Sequence, residues 1–474
     1  MADQTGRKSL QEVLDAAGNV VDYLWSHPKG NASGLMKRWQ PWVVPVEVTN
    51  WRREQEAWSE AVVLFDQTYH MPELHLHGQN PLAVLAPLFV NNLSRVTPGA
   101  SRHMLSCTPR GHVIGDDILY CFDEHHVALI SSEPIQNWVQ YHLEKEKPPV
   151  TWELDESWPR NPRGYRHFYR YEIAGPAVPD LMERLTGTKV EIPYFRHAVL
   201  TMHGHAVRAL HHNMAGVPGF ELSGPWEERE AVKALLLREG EAFGIRHAGS
   251  LAYTTASMES GWIPSPLPGI YSDPDLRAYR EWLPGDGFEA RGSLGGSYYS
   301  PNIEDYYLTP WDLSYDHLIK FDHDFVGRAA LEEMAQRPHR RRVTLVWNPA
   351  DVLKVIETYL HPGLPALFLE WPVLWHGWRY DKVLNAHGEL VGLGIGKTAY
   401  SINERAFLTL AAVDEQWSRP GTELTLIWGE DPERQAHSGV EPHQQLPVRV
   451  TVAPSPIGQL ARHHRAEVSG HTAG

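Results

Sequence analysis

Apolar residues in Ser9–Tyr23 (SLQEVLDAAGNVVDY) fall at Leu10, Val13, Leu14 and Val21, the spacing of a helix that buries one face. Ser9 stands where a cap belongs and Glu12 follows three residues later, the pattern of a capping box. After a Pro/Trp-rich connection at Lys37–Val48, NWRREQEAWSEAVVLFD predicts a second helix with Trp51, Trp58, Val62 and Phe65 on its inner face. The period then shortens. ELHLHG, HVIGDDILYCF and HVALISS alternate or run apolar over strand-like lengths between Gly, Asp and Pro.

A second block repeats the theme. RYEIAGP and HAVLTMHGHAVRALHH read as strands, and EEREAVKALLLREGEAFG as a helix with Ala231, Leu235, Leu236 and Phe243 inward. Ile263–Ser314 is dense in Gly, Pro and Ser yet too aromatic for a flexible linker, which predicts an ordered loop region of the kind that lines sites. RRRVTLVW through LPVRVTVAP reads as a separate β-rich domain, and the whole as α+β. The stretch GSLAYTTASMESGW, small and polar around Tyr253, reads as a loop.

Composition narrows the class of partner. A chain of 474 residues exceeds what one core fills, so two or three packed domains are expected. A formal charge of −15 argues against nucleic acid and anionic membrane as partners, which leaves small molecules. No apolar run approaches the roughly 20 residues of a spanning helix, and the start lacks a signal peptide's apolar core, so a cytoplasmic protein is expected. Cys107 and Cys121 form neither a disulfide framework nor a metal-ligand pattern. Nothing in the sequence fixes an oligomeric state. The 18 Trp and 19 Tyr predict large flat surfaces that pack inside the protein or stack on a planar ligand.

Candidate chemistry begins with histidine. His75 and His77 alternate on a strand, as do His203 and His205, but no carboxylate or cysteine falls at partner spacing and no HExxH occurs, so no metal is expected. In FDQTYHM, Gln67 and His70 lie at a helix end or the following turn, where two polar groups converge. Asp116 and Asp117 are adjacent in an otherwise apolar strand, so one of them faces inward and needs a donor or a function. Glu221, between Phe220 and Leu222, is either a solvent-facing strand residue or a buried acceptor for a ligand's N–H groups.

FDQTYHM, GHVIGDDILY, AGVPGFELSGP, AYTTASMESGW, PNIEDYY and KFDHDFVGR, in this order, resemble the aminomethyltransferase superfamily of the glycine-cleavage T-protein, and more closely its tetrahydrofolate-dependent aryl O-demethylases. The resemblance implies a three-domain cloverleaf around a central folate cavity with a C-terminal β-rich domain: 1–165 with about 260–335, then 166–259, then 336–474. It implies that Glu221 holds the pterin edge, with Trp262, Tyr253 and Asp116 beside the folate. Gln67, His70, Ser297, Trp39, Ser132 and Arg170 are implied at the substrate wall.

Four positions depart from patterns within the superfamily. Tyr253 stands where T-proteins carry arginine, as in the O-demethylases, and argues against aminomethyl transfer. Gly115 separates Val113-Ile114 from Asp116. Ser132 stands near the place of an arginine in the vanillate enzyme, and Trp39 replaces a tyrosine, so another cation, Arg170 or His103, would have to take a substrate carboxylate. The implied activity is O-demethylation of a methoxylated aromatic acid, syringate first and vanillate or 3-O-methylgallate next, by methyl transfer to tetrahydrofolate, with Tyr253 first and His70 second as the acid. A demethylase of a sulfonium compound or N-methyl amine, and a non-catalytic folate-binding protein, are the alternatives.

Overall fold

The computed structural model describes residues 7–27, 44–158, 160–371, 377–434 and 440–471. Three sheets organise it. One has six strands in the spatial order β11 (Ile245–Ala248), β1 (Val62–Asp66), β7 (Phe168–Ala174), β10 (Gly219–Pro225), β9 (His205–Leu210) and β8 (His197–Met202). The second has five: β3 (Ser101–Cys107), β4 (Val113–Cys121), β5 (His126–Ser131), β2 (Glu73–Gly78) and β6 (Val150–Asp155).

The third sheet is C-terminal. It runs β12 (Leu294–Gly295), β14 (Trp378–Leu384), β15 (Leu390–Ser401), β16 (Ala406–Asp414), β13 (Arg340–Trp347), β18 (Leu446–Ala453) and β17 (Glu423–Trp428). Pairing of Val383 with Leu426 and of Leu384 with Thr425 joins β14 back to β17, so six strands close into a barrel without open edges.

Sheet membership departs from the boundaries expected along the chain at two points. Val62–Asp66 pairs with β11 and β7, placing β1 in the sheet of the second unit, and Leu294–Gly295 pairs with Trp378–Arg379 of the barrel. The helix expected through Asp66 is Trp51–Glu60, and the chain turns into β1 at Ala61. All five residues of β1 are buried, and β-branched Val62 and Val63 suit a strand covered on both faces. The expected first helix is two, Leu10–Ala17 and Val20–Ser26, broken at Gly18, whose φ of 74° leaves the helical region. Its capping box is present: the Ser9 hydroxyl accepts from Glu12 N–H, and the Glu12 carboxylate accepts from Ser9 N–H.

GSLAYTTASMESGW is a helix, Ser250–Ser260, and corrects the expectation of a loop. Its first N–H groups are satisfied from outside: Gly249 N–H donates to Glu54, Ser250 N–H to the carbonyl of Pro45 and Leu251 N–H to that of Val46. Ser and Thr hydroxyls donate back to carbonyls of the preceding turn, as Thr254 does to Leu251. Eight of its eleven residues are buried, so no apolar stripe marks a single inner face. Gly261, at φ 77°, ends it.

Ile263–Ser314 is ordered, as expected, and much of it is core. Tyr271, Tyr279, Tyr306 and Tyr307 pack in one cluster with the N-terminal helices and with Trp378, Tyr380 and Leu408 of the barrel. Much of the aromatic content therefore goes into packing between units.

Candidate functional site

A cavity of about 1120 Å³ opens where the three sheet units meet. It exceeds the roughly 300–1,000 Å³ of a typical small-molecule site. Gln67, His70, Arg170, Glu221, Tyr253 and Trp262 all line it.

Glu221 comes from β10, where it lies directly opposite Glu172 of β7. The Arg170 guanidinium donates to Glu221 Oε2 at 2.6 Å, the Tyr120 hydroxyl donates to the same oxygen at 3.1 Å, and His212 Nδ1 lies 2.9 Å from Oε1. Burial pushes the Glu221 carboxyl upward, but His212 and Arg170 outweigh it and hold the group below its ordinary value. Glu172 follows the other course. Burial, with Glu221 across the strand pair, raises its carboxyl to about 8 while it accepts from Met214 N–H, Ala215 N–H and the Gln67 amide. One ionised and one neutral carboxyl thus share the sheet, the usual resolution of two acids at close quarters.

Tyr253 projects from the Ser250–Ser260 helix, and its hydroxyl lies 3.0 Å from His70 Nε2. Burial, then Glu172 and Glu221, raise the phenol well above its ordinary value, so it stays protonated. Burial, with Arg170 and Arg166 nearby, draws His70 down to about 3. A hydrogen bond with the Gln67 backbone favours a proton on the far ring nitrogen, which leaves Nε2 to accept from Tyr253. His70, expected second as an acid, is therefore a neutral acceptor that aims the phenol.

On the opposite wall, Asp116 Oδ2 collects three donors: His103 Nε2 at 2.8 Å, Trp262 Nε1 at 3.1 Å and the Tyr315 hydroxyl at 3.3 Å. Trp262 is thereby fixed along the cavity. Asp117 lines the cavity as well, but neither of its carboxyl oxygens has a hydrogen-bond partner among the described residues. Burial, with Asp116 beside it, raises the Asp117 carboxyl well above its ordinary range, so it is neutral.

Ser297 is not at this site. It is fully buried between β12 and β14, where its N–H donates to Asp381 and its hydroxyl accepts from Lys382 N–H, so the cavity-wall role expected for it is corrected to a packing role. Trp39 lies outside the described residues. Ser132 lines the cavity as the N-cap of the helix Glu133–Glu146. Arg170 and His103, considered for a substrate carboxylate, are paired with Glu221 and Asp116. Sequence reasoning passed over Glu172, Tyr315 and Lys397. The rule that singled out Glu221, a charge inside an apolar alternation, would have found Glu172 in RYEIAGP and Lys397 in GLGIGKTAY. Among the described residues, no group of three or more His, Cys, Asp or Glu side chains could hold a metal ion, and no helix is long and apolar enough to cross a membrane.

Three comparisons bear on this geometry. Residues 29–265 match the GCVT N-terminal domain. Syringate O-demethylase of Sphingobium sp. (strain NBRC 103272 / SYK-6) is 39% identical over 460 residues, 96% of this chain and 97% of that protein. Sesamin methylene transferase of Sinomonas sp. (strain No.22) is 26% identical, across 84% of this chain and 86% of its own length. The solved glycine cleavage system aminomethyltransferase T from Bartonella henselae superposes with a TM-score of 0.59 at 14% identity, covering 88% of this chain and 92% of that one, which carries the fold alone. With a domain match over half its length and a relative at 39% identity over nearly all of it, the chain belongs to the GCVT aminomethyltransferase family.

Proposed function

We propose that this protein is a tetrahydrofolate-dependent O-demethylase of a methoxylated aromatic acid, with syringate as the first candidate and vanillate or 3-O-methylgallate next. The observation that carries the reading is a neutral, protonated phenol, Tyr253, set in a cavity of about 1120 Å³ beside an ionised carboxylate, Glu221. The similarity to syringate O-demethylase over nearly the whole chain supports the same reading.

The residues fit a folate. A pterin edge presents N–H donors, and Glu221 is an ionised acceptor held rigid by Arg170 and His212. Trp262, fixed through its indole N–H to Asp116, offers a flat apolar wall. When bound, tetrahydrofolate supplies N5 as the nucleophile that accepts the methyl group.

In the reaction the aryl oxygen–methyl carbon bond breaks, a nitrogen–methyl carbon bond forms, N5 loses its proton and the phenolate gains one. The chain's task is the leaving group, because an expelled phenolate has a conjugate acid of pKa about 10. Tyr253 meets it: its O–H rotates from Nε2 of His70 toward the developing phenolate and donates a hydrogen bond or the proton. The Gln67 side chain, itself anchored on Glu172, and His70 both hydrogen-bond that phenol and hold it in place. A positioned donor of this kind contributes about 10²–10⁴ in rate.

Incubation of the full chain with tetrahydrofolate and syringate, vanillate, 3-O-methylgallate or guaiacol, followed by chromatography for 5-methyltetrahydrofolate, tests the reading. Product from at least one methoxyarene is expected; none from any of the four refutes the proposal.

A further inference from the structure

Lys397 is a charge of the cavity wall to which the proposed reaction gives no role. It enters from β15 at an irregularity where the three residues between Gly394 and Thr398 lie opposite the single residue between Ala411 and Thr409 of β16. Gly396 precedes it at φ 79°, a conformation in which glycine meets no steric cost, and an added Cβ there would find open space. A regular ladder would send position 397 along the barrel wall. The extra residues turn it into the cavity instead, where it is part of the lining.

Its ammonium donates to the carbonyl of Thr254 at 3.3 Å, one residue along the helix from Tyr253. The residue keeps part of its surface open to the cavity while its ammonium is desolvated, and burial draws the pKa down to about 7. Removing a cation from water is costly, and an anion arriving in the same low-dielectric space offsets that cost.

Several other cations of the lining are held by protein groups. Arg170 pairs with Glu221, His103 with Asp116 and Arg160 with Glu133, Lys320 donates to the carbonyl of His317 on the exposed rim, and Arg342 lies over the Tyr315 ring, while Arg465 is a further cation of the wall. Ser132 offers no charge.

We propose that Lys397 binds the carboxylate of the aromatic methyl donor and so restricts the enzyme to methoxylated aromatic acids over carboxylate-free methoxyphenols. The proposal rests on the O-demethylase reading and adds to it the residue that sets the substrate class.

The test compares syringate with 2,6-dimethoxyphenol, the same ring without its carboxylate, in the wild-type full chain and in Lys397→Met and Lys397→Arg. Lys397→Met is expected to lose about 100-fold in kcat/KM on syringate, mostly through KM, as removal of a buried charge contact does. On 2,6-dimethoxyphenol the loss should stay under about threefold, within the scatter of a lost neutral contact. Lys397→Arg should recover most of the syringate loss, and the Kd of tetrahydrofolate should stay unchanged.

Equal losses on both donors, or a tetrahydrofolate affinity that falls with the syringate activity, overturn the proposal. Calorimetric binding of the two aromatic compounds to the wild-type protein separates this outcome from failure of the functional reading. A preference for the acid that Lys397→Met abolishes upholds the carboxylate site even without turnover. No preference in the wild type refutes it even with turnover.

Discussion

The hydroxyl of Tyr253 and Nε2 of His70 are 3.0 Å apart, and the imidazole is neutral because burial and two nearby arginines hold its pKa near 3. The two residues therefore have unequal roles. Tyr253→Phe removes the only proton in the pair that can reach a leaving phenolate, and single-turnover methyl transfer should slow by about 10²–10⁴ with little change in folate affinity. His70→Phe should cost about 10-fold, the loss of aim without loss of the donor. Rapid-quench rates of 5-methyltetrahydrofolate formation check both; a His70 variant slower than the Tyr253 variant contradicts the assignment.

Glu221 and Arg170 form a buried pair at 2.6 Å, so removing either leaves a charge behind. Glu221→Gln should weaken tetrahydrofolate binding by about 10²-fold and lower stability by roughly 3–5 kcal/mol. Adding Arg170→Met should recover stability without recovering folate affinity. Urea unfolding and fluorescence titration on the same samples separate the two effects.

Four histidines are held neutral, His197 and His464 buried and His70 and His126 part-buried: His70 is drawn down to about 3, and His126, His197 and His464 to about 4, each chiefly by desolvation. In the unfolded chain each would take a proton near 6.5. Between about pH 4 and 6.5 these four rings bind more protons in the unfolded state than in the folded one, so their contribution to stability rises with pH across that window, against the opposite contribution of Glu172 and Glu289, whose carboxyls are raised to about 8 and about 7. Urea midpoints at intervals from pH 4.5 to 7.5, taken on the wild type and on His197→Phe, isolate one ring's share of that dependence. His197→Phe should lower the slope, and an unchanged slope would contradict its burial as a neutral ring.

Gly261 ends the Tyr253 helix at φ 77°, and a Cβ there would lie 2.1 Å from the Ser455 hydroxyl. Gly261→Ala combines a left-handed backbone penalty with a clash and should cost about 1–3 kcal/mol. Because the same turn precedes Trp262, folate affinity should fall with it; a denaturation midpoint and a folate titration equal to wild type would refute this.

Asp117 is a neutral carboxyl without hydrogen-bond partners among the described residues, so its polarity stabilises nothing there. Asp117→Leu, with the same branched skeleton and the adjoining cavity to take its larger methyl groups, should leave stability unchanged or raise it by about 1 kcal/mol, as replacement of an unsatisfied buried polar group does. A loss above about 2 kcal/mol would show that the carboxyl is satisfied after all.

The sequence made most strands legible because Gly, Asp and Pro bound them: ELHLHG, HVALISS and RYEIAGP all fold as read, although each is buried on both faces. It misled where such breakers are missing or burial extends all round. Val62–Asp66 continued the apolar period of the preceding helix and passed for helix, and Ser250–Ser260, buried on almost every face, showed no period at all. The site followed the same rule. Glu221 stood out as a charge in an apolar strand, and Lys397 in GLGIGKTAY stands out by the same rule, although no periodicity announces the break in strand register through which it reaches the cavity. Ser297, placed at the wall by resemblance, lies in the seam between β12 and β14.

Strand β1 has a further consequence for how the molecule assembles. Residues 62–66 emerge early in synthesis, yet their neighbours in the sheet are β7 and β11, and the parallel partner Ile245–Ala248 comes from far along the chain. The five-stranded sheet, drawn from residues 73–155, is complete well before that partner exists. An all-buried apolar strand must therefore wait, exposed, while a whole unit folds between it and its mate, a long-range closure of the kind that slows folding and invites aggregation. Expression of this protein should depend on translation speed and chaperone supply more than its finished stability would indicate.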